Sequence, residues 1–324
     1  MRTPKTLATS LLSLSAAALL AVSAAGAATA SPAAAQDKRA QQVTSQSVDG
    51  SKAADYWTPD RMKSAIPGDV LADRALARGN KSPTATVEKG SSTQISGKAA
   101  RGKTTLHASE SPVSNIGKVF FTMGGSNYVC SGNSVSSSNK STVSTAGHCV
   151  NEGPGAFATN FVFVPAYLNG AAPYGKWAAN ALYTPTQWSS AGDMQYDTGF
   201  AVVDPLNGQT LSDVVGASGV QFNAARGLTY KSYGYPAASP FDGQSLISCT
   251  GPASDDPNNP QFNSQGIPCD MTGGSSGGPW FIGTSSSGYQ NSINSYGYGT
   301  RSTVMYGPYW GSVIQQAYST AAAS

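Results

Sequence analysis

The segment Gly273-Gly274-Ser275-Ser276-Gly277-Gly278-Pro279 sets a serine among glycines. A serine hydroxyl is a poor nucleophile at neutral pH, and it needs a base beside it and amide donors aimed at the oxyanion that its attack creates. Glycines on both sides let the backbone turn tightly enough to bring the amides of Gly274 and Ser276 to one point. Alone the motif is weak, because Gly/Ser loops between strands are usually plain turns. For a base the chain offers two histidines, His107 and His148. His148 follows a strand-like run in Ser144-Thr145-Ala146-Gly147-His148-Cys149, where a disulfide at Cys149 would hold it rigidly; His107 lies in polar sequence and reads as an ordinary surface residue. A third group, a carboxylate shielded from water, must fix the tautomer of the base and stabilise the imidazolium it becomes. Asp197 heads the apolar run Gly199 to Val203 and stands at the mouth of a buried strand. Asp193 and Asp204 lie in turn-like sequence and read as solvated loop residues, and Asp255 and Asp256 in Asp-Asp-Pro-Asn-Asn-Pro read as turn chemistry. Ser276, His148 and Asp197 together would carry out acyl transfer.

The elements that must position these groups are short. Beyond Val113 apolar or alternating runs are separated by Gly, Ser, Asn and Pro: Lys118 to Phe121, Ser141 to Ala146, Phe161 to Val164, Gly199 to Val203, Thr229 to Tyr233, Trp280 to Ile282 and Ser302 to Tyr306. This is an all-β pattern of sandwich or barrel type. Trp310, Val313, Ile314, Ala317 and Tyr318 fall at helical spacing and predict one C-terminal helix packed on the β-structure.

The stretch Thr145 to Cys149, the run from Asp197 and the stretch Gly274 to Pro279 resemble, in this order, the three signature motifs of chymotrypsin-like and trypsin-like serine peptidases. The match spans roughly residues 113 to 320 and is nearest to bacterial secreted members, including the glutamyl-endopeptidase-like branch. The resemblance implies two packed Greek-key six-stranded β-barrels with a C-terminal helix, the first ending near Pro205, and an active site in the cleft between them. It implies a bridge from Cys130 to Cys149, and it makes Ser295 the strand serine that bonds the triad aspartate, with Tyr296 and Gly297 as the edge strand for substrate backbone. Ser275 stands where trypsin-like enzymes carry the aspartate that binds a newly cut N-terminal ammonium, so that activation switch is expected to be absent. Asp270, six positions before Ser276, stands where those enzymes recognise Arg or Lys. A buried carboxylate there would favour such cations, although Cys269 and Thr272 depart from the usual pocket loop. Asn294 occupies the place where the glutamyl branch often presents a histidine, which argues against glutamate specificity.

Composition bounds the rest. Arg2 and Lys5 precede an uncharged Leu/Ala/Ser run that closes on Ala28-Thr29-Ala30, the pattern of a secretory signal peptide over residues 1–30. Residues 31–107, polar and rich in Ala, Ser, Lys and Arg, read as a pro-segment, in which Thr58-Pro59 could open a short helix; the peptidase domain is then 108–324. Of the 20 Lys/Arg and 17 Asp/Glu, 14 and 8 lie in residues 1–110, so the net +3 divides into +6 there and −3 beyond. The mature domain has no basic footprint for nucleic acid. Its partners are expected to be protein or peptide substrates, with no membrane in the mature form and a monomeric, secreted state. The four cysteines would reach an oxidising compartment. Three pairings can be drawn; Cys130 with Cys149 and Cys249 with Cys269 gives two short local loops. No metal-ligand spacing occurs, and neither metal nor cofactor is expected. The competing reading is a catalytically inactive peptidase-like module that holds a protein or peptide in the same cleft. An esterase with a G-x-S-x-G elbow would need an alternating α/β chain, which the sequence lacks.

Overall fold

The computed structural model describes residues 42–79, 90–94, 105–299 and 301–324. The signal peptide read at 1–30 lies outside them, as do parts of the 31–107 segment. The first part of the described chain carries strands β1 (Val43–Ser47), β2 (Ile66–Pro67) and β3 (Thr93–Gln94) and helices α1 (Ala53–Tyr56), α2 (Pro59–Ser64) and α3 (Asp69–Arg78). The Thr58 hydroxyl accepts a hydrogen bond from Arg61 N at 3.3 Å, and Pro59 opens α2, as the cap and proline at those positions predict.

The expected strand runs form the barrel in the first half. Strands β5 (Ile116–Met123), β6 (Ser126–Val135), β7 (Thr142–Thr145), β8 (Thr159–Pro165), β9 (Trp177–Pro185) and β10 (Gly199–Val203) follow the order β9-β10-β7-β6-β5-β8, and β8 pairs back to β9. Their Val, Phe and Trp side chains, among them Val119, Phe121, Phe163, Trp177 and Phe200, fill the interior. Burying each such side chain is worth roughly 1.5–3 kcal/mol. The second half spreads its strands over two sheets. One is β17-β16-β12-β13-β4, from Thr105–Glu110 (β4), Thr229–Gly234 (β12), Leu246–Pro252 (β13), Pro279–Ile282 (β16) and Gln290–Ile293 (β17). The other joins Ser254–Asp255 (β14), Gln265–Pro268 (β15) and Val304–Gly307 (β18), while Gln221–Phe222 (β11) pairs with β3. The Cys249–Cys269 disulfide ties the two sheets together, and Cys130–Cys149 links β6 to the histidine loop.

Two short helices, α4 (Thr186–Ala191) and α5 (Leu211–Val215), lie in connections, and the chain ends in α6 (Ser312–Ala322). That last helix buries Ile314, Ala317 and Tyr318 beside Trp310 and Phe200, the face that its spacing predicts. Among the described residues no helix is long and apolar enough to cross a membrane.

The 31–107 segment departs from its expectation of strand-poor sequence. β1 adds to the barrel sheet antiparallel to β9, from Val43 opposite Pro185 to Ser47 opposite Ala181, and β2 runs parallel to β6 with Pro67 opposite Val129. Both are held by main-chain hydrogen bonds to stretches of β9 and β6 that a barrel neighbour leaves open on one side, which require no apolar alternation in the added strand.

Candidate active site

His148 sits in a single 3-10 turn, Gly147–Cys149, that follows β7 and is pinned by the Cys130–Cys149 bridge. Its backbone N–H donates to Asp197 Oδ1 at 2.7 Å, and its Nδ1–H donates to Asp197 Oδ2 at 2.8 Å. Ser295 Oγ donates to the same Oδ2 at 2.5 Å. Asp197 is fully buried, so its charge is held by three hydrogen bonds rather than by water. A Cβ at Gly147 would press on both Asp197 Oδ1 and the Trp188 ring, each 2.9 Å away, which accounts for a glycine before the histidine.

The Ser276 loop comes from the second half. Gly274 and Gly277 take positive φ angles of 93° and 79°, open to glycine at little cost. A side chain on Gly277 would run into Thr145 and Ala146, so the serine loop lies directly against the stretch leading to His148. Three amides of the loop are used internally: Ser275 N bonds Thr272 O at 3.3 Å, Gly277 N bonds Asn294 O at 2.7 Å and Gly278 N bonds Ser275 O at 2.9 Å. The amides of Gly274 and Ser276 have no partner among the described residues. Ser131 braces the loop from the first half, its N–H on Ser276 O at 2.7 Å and its hydroxyl on Gly274 O at 2.9 Å. Asn294, fully buried, accepts from Ser232 Oγ and Trp280 Nε1 and donates to Tyr233 O and Ser275 O, so it is spent inside the fold. The Ser275 hydroxyl turns back onto Thr272 O at 2.7 Å and offers no charge to an ammonium.

His148 Nε2 is buried and has no hydrogen-bond partner among the described residues. The bond between Ser276 Oγ and His148 Nε2 is therefore not made here.

Beside Ser276 lies a cavity of about 330 Å³ that Asp270, Thr272, Ser295, Tyr296 and Gly297 help to line. Tyr296 exchanges backbone hydrogen bonds with Tyr306, at 3.2 and 2.8 Å, and Ser295 N donates to the same Tyr306 O at 2.9 Å, which holds this strand at the border of the cavity. His107, read from sequence as an ordinary surface residue, places Nδ1 2.8 and 2.9 Å from the two oxygens of Asp270. β4 brings it there by pairing with β13, where Ser109 stands opposite Ile247, and Cys249 on that strand is bonded to Cys269 next to Asp270.

Two carboxylates differ from their sequence reading. Asp193 is buried and caps the turn Met194–Tyr196 through Gln195 N at 3.1 Å, rather than lying solvated. Asp256 does make the expected turn, accepting from Asn258 N at 2.9 Å, but it is buried and also accepts from Tyr296 Oη at 2.9 Å and Tyr298 Oη at 2.5 Å. Burial pushes both phenols up, so they remain donors to Asp256. Asp256 thus holds the strand that borders the cavity.

Cys130, His148 and Cys149 converge, but the two sulfurs are bonded to each other and offer no thiolate to a metal.

No family model matches the chain. Among solved structures, protease Anisep from Arthrobacter nicotinovorans is 77% identical, with a TM-score of 0.67, over 68% of this chain and 100% of that one. The thermostable serine protease AL20 from an extremophilic microorganism is 52% identical, with a TM-score of 0.63, over 65% of this chain and 98% of that one. A Glu endopeptidase at 20% identity and a TM-score of 0.53 shares the fold. Among curated proteins, the extracellular metalloprotease of Bacillus subtilis (strain 168) is 28% identical over 116 residues, and the chain spans 36% of its length.

Proposed function

We propose, for a chain that belongs to the chymotrypsin-like bacterial serine peptidases, that its endopeptidase activity runs through Ser276, His148 and Asp197 and an acyl-enzyme. The observation that supports this reading best is the buried chain of hydrogen bonds from Ser295 through Asp197 to His148 Nδ1. It leaves Nε2 of the same ring without a partner among the described residues, available as the base for Ser276.

In this mechanism His148 takes the proton of Ser276 Oγ as the oxygen attacks the peptide carbonyl, and returns it to the leaving amine; water then releases the acyl group by the same relay. Asp197 keeps Nδ1 protonated and stabilises the imidazolium. The amides of Gly274 and Ser276 stabilise the oxyanion, each donor contributing on the order of 3 kcal/mol. The side chain before the scissile bond enters the cavity bordered by Asp270, with Ser295, Tyr296 and Gly297 along the substrate backbone. Substrates are proteins or peptides. The protein is secreted through a leader at 1–30, and residues 31–107 are a pro-segment removed to give the domain 108–324; the two disulfides fit an oxidising destination.

The test is fluorophosphonate labelling of the secreted protein with the adduct located by mass spectrometry. An adduct on Ser276 that is lost in His148→Ala is expected. Mature folded protein that takes no label would instead describe an inactive module that holds peptides in the cleft.

A further inference from the structure

The pro-segment does not merely precede the cleft; it runs through it. Gly68 donates its N–H to Val129 O at 2.9 Å, and a side chain at Gly68 would strike Cys130 Sγ. One residue on, the Asp69 carboxylate lies against Gly273, so closely that a Cβ at 273 would overlap it. The same carboxylate and that of Asp73 interact electrostatically with His148. Helix α3 follows, and its Ala72 and Asp73 line the cavity together with Tyr296 and Gly297. Ala72 and Ala75 are buried in one apolar cluster with Trp188, Tyr196, Phe262 and Tyr296. His148 itself has no exposed surface, and α3 packs against its turn.

In the proposed mode of binding, a substrate's backbone lies extended along Ser295 to Gly297. The segment passes Val129 and Cys130 and then lines the same cavity as Tyr296 and Gly297, and it is helical there where a substrate is extended.

We propose that residues 66–78 are a built-in inhibitor that fills the cleft in helical form, with the Asp69 carboxylate set against the Gly273 end of the Ser276 loop. This rests on the reading of the cleft given above. Such a segment occupies the cavity beside Ser276 as a helix, not as the extended chain that a substrate presents. One Asp69 oxygen, Oδ1, is buried with no hydrogen-bond partner among the described residues. Burial first and Asp73 second push the Asp69 carboxyl up, with His148 opposing. A carboxyl raised by docking loses docking free energy as pH rises from its unfolded pKa through its raised one, so the inhibitor is held less firmly above that point than below it.

The test uses the full chain. Ala72→Glu with Ala75→Glu places two carboxylates in the buried face of α3, and Ala75→Glu alone is the milder form; melting curves check that each is folded. Fluorophosphonate labelling of Ser276 is expected to rise at least tenfold over the unaltered chain. A second readout needs no catalysis: in a Ser276→Ala background, carbethoxylation of His148 relative to exposed His107 on the same chain is expected to rise severalfold when α3 is unseated. Should both variants fail to fold, a chain folded intact and then cut at a protease site inserted after Gly79 takes their place, and dilution is expected to raise both readouts. Exposure of His148 without labelling in any form would overturn the assignment of the nucleophile and leave the inhibitor standing. Labelling of the unaltered chain within twofold of the variants, with His148 equally reactive in all, would overturn the inhibitor.

Discussion

Ser295 Oγ and His148 Nδ1 meet on one atom, Asp197 Oδ2, at 2.5 and 2.8 Å. The serine from the second half of the chain thereby fixes the carboxylate that orients a histidine from the first. Ser295→Ala removes a hydrogen bond to a charged group, worth about 1.5–3 kcal/mol. We expect kcat on a small ester to fall ten- to a hundredfold with KM changed less than threefold, and Ser295→Thr to recover part of it. A change confined to KM would show that Ser295 acts only on substrate binding.

His107 lies 2.8 and 2.9 Å from the two oxygens of Asp270, and the proposed removal of residues 31–107 takes that partner away from a carboxylate that lines the cavity. In the processed enzyme Asp270→Asn is expected to lower kcat/KM for substrates with Arg or Lys before the scissile bond by about tenfold or more relative to Leu, a selectivity of the size one pocket contact supplies. Profiling variant and parent on a peptide library decides it, and identical profiles would remove Asp270 from the account of specificity.

Asp256 is the anchor under the cavity wall. Asp256→Ala leaves the Tyr296 and Tyr298 hydroxyls without their acceptor in a largely buried place. The expected loss is about 3 kcal/mol of stability, read from urea unfolding, with KM rising more than kcat falls. A variant as stable as the parent would show that the two phenols find other acceptors.

Lys118 is 2% exposed, its ammonium donating to Gly243 O at 2.9 Å and lying 4.5 Å from the centre of the Tyr167 ring. Burial pushes its pKa down to about 8, with Asp242 opposing. The unfolded chain holds that proton more tightly, so the native state gains stability as pH rises from about 8 toward 10.5. The gain is on the order of 3 kcal/mol across that window. In Lys118→Met this rise is expected to vanish; urea unfolding at pH 7.5 and pH 10 for both proteins measures the difference.

Legibility in the sequence followed the range of each interaction. The reading of Ser276, His148 and Asp197 rests on local context, glycines on either side, a cysteine next door, a buried strand following, and the structure brings the last two of them into hydrogen-bond contact. The C-terminal helix was legible from the spacing of Ile314, Ala317 and Tyr318. What escaped was long-range and polar. Asp270 meets His107 across 163 positions, and Asp256 meets Tyr296 across 40, with nothing in either neighbourhood to signal the pairing. Helix α3 escaped for another reason: its buried face is Leu71, Ala72 and Ala75, and alanines in an alanine-rich segment give almost no contrast between inside and outside.

β1 covers one side of β9 from Ala181 to Pro185. Maturation that discards it would strip a row of main-chain donors and acceptors bare on an otherwise closed barrel, the kind of sticky rim through which folded proteins zip onto one another. The finished enzyme then has two choices, to keep the severed strand as a noncovalent patch or to live with an adhesive seam, and only the second makes its tendency to self-associate grow with the extent of processing.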